Sequence, residues 1–141
     1  MSNLLHPGLI LIAVGVLAVL VPKMLRKFIL AIGPFFALFA ALSMPVGTDL
    51  SIEFFGTGYH LGYMFVDKLS YVFCMIFALM ACIGGIYSCH NENRMEAFCS
   101  MSYAGCALGV TLAKDWLTLI FFWEAPVSYT HLRAHETRHD L

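Results

Sequence analysis

Uncharged apolar runs follow one another along most of the chain: Leu9 to Val21, Phe28 to Met44, Leu69 to Cys89, Ala97 to Ala113, and the opening of another at Trp116. A helix that crosses a bilayer needs about 20 apolar residues. Runs of this kind, joined by short polar segments, predict a stack of membrane helices rather than a water-soluble core. Composition agrees. Of 141 residues, 60% are hydrophobic and 12% charged, against about 45–50% and about 25% in soluble domains. The 14% aromatic content and net charge of -1 exclude a disordered chain and give no footing for nucleic acid. The expected fold class is all-α integral membrane: a polytopic helix bundle with four complete transmembrane helices (residues 5–21, 28–44, 67–89 and 97–113) and a truncated fifth (116–125).

Punctuation between the runs adds detail. His6-Pro7-Gly8 precedes the first run, and proline suits a first helical turn because its missing N–H has no partner there anyway. No Lys or Arg comes before Lys23, whereas a cleaved signal peptide opens on positive charge, so the first helix is expected to be retained. Gly33-Pro34 lies inside the second run, a pair that a membrane bundle tolerates because neighbours satisfy the freed carbonyl. From Thr48 to Val66 the chain is acidic and aromatic, and Gly56-Thr57-Gly58 reads as a turn between two extended pieces. A hairpin at the membrane surface is expected, where Tyr59, Tyr63 and Phe65 suit the headgroup belt. Gly105 and Gly109, continued by Ala113, have the spacing that lets helix backbones approach closely, so the fourth helix should be buried among others. Lys23, Arg26 and Lys27 mark a cytoplasmic connection by the positive-inside rule, which places the 49–66 loop and the N-terminus outside.

The five cysteines offer neither CxxC nor Cys/His pairs at ligand spacing. They read as small buried thiols, and no metal or cofactor site is expected. Asp67-Lys68 and Lys114-Asp115 read as snorkelling anchors at helix starts. His6, His60 and His90 lie at run starts or in loops without a second ligand. Residues 126–141 lose the apolar period and are expected to form a non-native or disordered tail, similar to translated sequencing-adapter sequence. His131, His135 and His139, four apart in that tail, are given no role.

Glu124 is the candidate site residue. It lies nine residues beyond Asp115 at the expected membrane boundary, a depth of about 13 Å at 1.5 Å per residue, close to half of a hydrocarbon core of about 30 Å. Desolvation favours the neutral acid, and a nearby Lys favours the carboxylate. Where the two nearly balance, proton occupancy can change when the partner moves, as a proton relay requires. A helix-terminal glutamate in a shorter span is the alternative, and the residues alone leave both open.

Three segments carry a resemblance. HPGLILI (6–12), VDKLSYVFCMIFALMACIGGIYS (66–88) and ALGVTLAKDWLTLIFFWEA (107–125) resemble, in order, parts of the antiporter-like proton-translocating membrane subunits of Mrp-type cation/proton antiporters, respiratory complex I and membrane-bound hydrogenases. The first two segments are most similar to the large sodium/proton antiporter subunit of the Mrp type. The resemblance covers Met1 to about Ala125 and implies an N-terminal fragment of a multi-pass cell-membrane subunit that conducts ions through a charged-residue pathway. It implies other membrane subunits, the lipid bilayer, protons and Na+ as partners, no cofactor, and no redox site even in a complex I-like translocase. Glu124 matches the glutamate that, in the family, pairs with a Lys on a later helix. No Lys here matches that partner, and Pro126 stands where the family usually carries Met. The rival expectation is a structural or assembly membrane subunit without transport, in which Glu124 makes a static interhelical bond.

Overall fold

The computed structural model describes residues 6–53, 56, 58–90 and 93–137, with side chains as far as 127. Its order is α1 (Pro7–Leu20), α2 (Lys23–Leu42), β1 (Asp49–Glu53), β2 (His60–Phe65), α3 (Lys68–Ser88), α4 (Arg94–Leu112) and α5 (Trp116–Thr137). Helices α1 to α4 form a ring in which α1 packs on α2 and α4, and α3 packs on the same two. The last helix, α5, lies outside the ring against α4 and touches β2. Each start has a local cause. Asp67 caps α3 in a reciprocal capping box with Ser70, and Asn93 caps α4 by accepting from the Met95 N–H. The His6 ring caps α1.

The hairpin is antiparallel, as its glycine turn predicts, with Ile52 opposite Leu61 and Glu53 opposite His60. Gly56 and Gly58 adopt φ of 70° and 75°, a region that glycine enters without penalty. Met64 and Val66 are buried and join Leu11, Ala41, Cys74, Leu108 and Leu112 in a core that closes one end of the ring. A second cluster of Val14, Ala18, Leu30, Ala97 and Met101 fills the other end.

Four complete transmembrane helices are not what the chain forms. Among the described residues, only α2 and α3 are long and apolar enough to cross a membrane. Helix α1 has 14 residues, about 21 Å at 1.5 Å per residue. It stops where Val21 turns extended ahead of Pro22. Helix α4 has 19 residues but takes in Arg94, Glu96, Ser100 and Ser102, which dilute its apolar content. The apolar part of α5, Trp116–Val127, is also short. An apolar run does not say where helix caps fall, and it overweights small residues.

Two further expectations are revised. Lys23, Arg26 and Lys27 are not loop residues but the first turns of α2, with Arg26 only 2% exposed. The fifth helix does not stop at Pro126, which lies inside α5. The side chains of His131 and His135, and all of residues 138–141 with His139, lie outside the described residues.

Side-chain size divides α2 and α3 into two faces. Their buried positions are mostly small: Gly33, Pro34, Ala37 and Ala41 on α2, and Cys74, Ala78, Ala81, Cys82 and Gly85 on α3. Their exposed positions carry Phe28, Ile32, Phe35, Phe36 and Phe39 on one and Val72, Phe73, Ile76, Leu79, Met80 and Ile83 on the other. A water-soluble monomer rarely shows a contiguous apolar face of that extent. Small residues inward and large ones outward is the arrangement by which helices pack in lipid.

Candidate functional site

The turn between α4 and α5 carries Lys114 and Asp115, and the hairpin clasps both. The Lys114 ammonium pairs with Asp49 at the start of β1, and the Tyr59 hydroxyl donates to the Asp115 carboxylate. Gly62 lies under the Lys114 stem, so close that a Cβ there would sit 2.8 Å from its Cδ. One turn on, the buried Thr118 hydroxyl donates to the Gly62 carbonyl at 3.5 Å. These are tertiary contacts and not the isolated snorkelling anchors that the sequence suggests. The Tyr59 hydrogen bond holds the Asp115 carboxyl below its usual range and raises the Tyr59 phenol above its own.

Beyond the clasp, α5 has a narrow inner stripe. Thr118 and Phe122 are each 5% exposed. Phe122 fills the space that a Cβ on Gly109 would need. The paired glycine Gly105 serves α1: a Cβ there would come within 2.6 Å of the Gly8 carbonyl oxygen. Gly105 and Gly109 thus share one face of α4, where Gly8 of α1 and Phe122 of α5 both come close, and α4 is buried among helices as expected. Cys74, Cys82, Cys99 and Cys106 are buried free thiols, and Cys89 is half-buried.

Glu124 lies on the other side of α5. Two residues beyond Phe122, it is turned about 200° from it at 3.6 residues per turn, and it is exposed beside Phe121 and Trp123. The helix continues past it to Thr137, while the apolar part of α5 ends at Val127, three residues on. The carboxyl therefore sits in mid-helix, facing away from the ring α1–α4, on a face otherwise built of Trp116, Leu117, Ile120, Phe121 and Trp123. An open groove of about 710 Å³ runs along α3 and α4 and reaches α5 at Pro126, with Phe77, Met80, Tyr103 and Ala107 among its lining.

Two residues of consequence are not apparent from the sequence pattern as read above. His6 is 3% exposed and stacks on Phe122, with ring centroids 5.5 Å apart and planes at 13°. Its burial has no sequence signal, since it precedes the apolar run. Arg26 does have one: with Leu30, Gly33, Ala37 and Ala41 it continues the inner stripe of α2 at helical spacing. Among the described residues, no three His, Cys, Asp or Glu side chains come together as metal ligands would.

No protein-family model, curated protein or solved structure matches the chain.

Proposed function

We propose that the chain belongs to a membrane subunit of the antiporter-like, proton-translocating kind, with Glu124 as a carboxylate of its charged-residue pathway. The observation that supports it most is the placement of Glu124: an acid within the apolar part of α5, on the face turned away from the chain's own helix ring. An ionisable side chain in a segment that meets lipid is costly, up to about 2.5–3.5 kcal/mol on insertion scales, and for that reason marks a functional position. In this reading α2 and α3 cross the cell membrane and their large outer side chains meet lipid. The hairpin lies at the outer surface. The N-terminus lies on the same side, since His6 is 6.4 Å from Tyr63 of β2, and Lys23 and Lys27 face the cytoplasm. Ions move along the charged-residue pathway of which the Glu124 carboxylate is one member.

The experiment is Glu124→Gln in the assembled complex, with proton-coupled cation translocation read in everted vesicles. Transport should be lost while the subunit still assembles. Unchanged transport would overturn the role and favour a structural subunit.

A further inference from the structure

We infer that His6 is a positioning residue that sets the rotation of α5 about its own axis and so keeps Glu124 facing away from the ring. This rests on the reading of Glu124 given above. A helix resting on one neighbour can roll along that contact. Here α5 rests on α4, and two attachments lie at different heights. The lower is the hairpin clasp at Asp115 and Thr118. The upper is Phe122, held between the Gly109 notch and the His6 ring. Because Phe122 and Glu124 lie on nearly opposite sides of the helix, fixing one fixes the other.

The residue type is informative. The Gly8 N–H donates to His6 Nδ1 at 3.1 Å, so the neutral ring carries its proton on Nε2. That atom is buried with no hydrogen-bond partner among the described residues. Asn, Ser or Asp would cap α1 without burying a stranded ring nitrogen. What the imidazole adds over those caps is a flat ring parallel to Phe122, and a cap role alone leaves that unexplained.

Two variants separate the roles. His6→Asn keeps the cap and loses the ring; His6→Phe keeps the ring and loses the cap. The readout is reaction of Glu124 with dicyclohexylcarbodiimide, a lipid-soluble carboxyl reagent, measured by mass spectrometry on the full chain in phosphatidylcholine vesicles. An aromatic pair of this kind biases a rotational equilibrium by about two- to tenfold. Labelling in His6→Asn should fall, by at most that factor, and His6→Phe should match the parent. Phe122→Leu, which fills the notch without a stack, should fall as His6→Asn does and serves if His6→Asn fails to fold. Unchanged labelling in Phe122→Leu, or an equal fall in His6→Phe and His6→Asn, would overturn the inference. The readout does not involve transport, so it stands or falls separately from the Glu124→Gln result.

Discussion

Helices α2 and α3 on one side of the ring, and α1 and α4 on the other, use their apolar residues differently. The first pair turns Phe36, Phe39, Ile76 and Ile83 outward over small inner residues. The second pair meets through glycines: Gly8 against Gly105, and Gly15 against Ser102 and Met101. Apolar content alone does not distinguish an outward apolar face from a seam made for a neighbouring backbone. Residue size does.

Filling the seam should have the largest effect. Gly105→Val places atoms where the Gly8 carbonyl already is, and overpacking against rigid backbone should destabilise by about 3 kcal/mol, read as loss of the folded fraction in a denaturant titration in micelles. A charge on the outer face tests the other half. Phe36→Asp should disfavour insertion by about 2.5–3.5 kcal/mol, seen as loss of the carbonate-resistant membrane fraction. Equal insertion of parent and variant would mean that this face does not meet lipid.

Neighbouring glycines sharpen the comparison within one helix. A Cβ on Gly85 would sit 2.8 Å from the Pro34 ring and closer still to the Leu30 carbonyl, whereas one on Gly84 meets nothing within 4 Å. Gly85→Ala should therefore destabilise by about 1–3 kcal/mol, and Gly84→Ala should stabilise by about 0.5–1 kcal/mol, in the same titration. The smallest effect belongs to the clasp. Asp115 has a lowered pKa, chiefly through Tyr59, so its contribution is present above the unfolded value of about 3.9 and is lost as pH falls through the lowered one. Tyr59 is raised, chiefly by the same bond, so its contribution is present below about 10 and is lost as pH rises through the higher value. Amide protection of β2 should decline at both extremes, and Tyr59→Phe should flatten both limbs.

Local features are the legible ones in this sequence. Gly56 and Gly58 announce the hairpin, and the Gly105/Gly109 spacing announces a close helix contact. The spacing of the cysteines along apolar runs announces buried thiols. Features that depend on distant chain are not legible. Lys114 and Asp115 look like a boundary pair until Asp49 and Tyr59 arrive from the hairpin. Asp67 reads as an anchor and is a cap, although the Ser70 three residues on is a readable sign of it. Counting apolar runs overestimates the spans because α1 ends early and α4 is rich in small and polar residues. Glu124 stands out by its isolation in an apolar run, but the face it occupies follows from Phe122 and His6, which no local pattern ties together.

The most direct measurement uses the four native lysines. Lys23 and Lys27 lie at one end of α2, while Lys68 and Lys114 lie at the hairpin end, and all four are exposed. Sealed right-side-out vesicles treated with a membrane-impermeant amine reagent should yield modified Lys68 and Lys114, with Lys23 and Lys27 reacting only once the vesicles are opened. Modification of all four in sealed vesicles would contradict the crossing of α2 and α3.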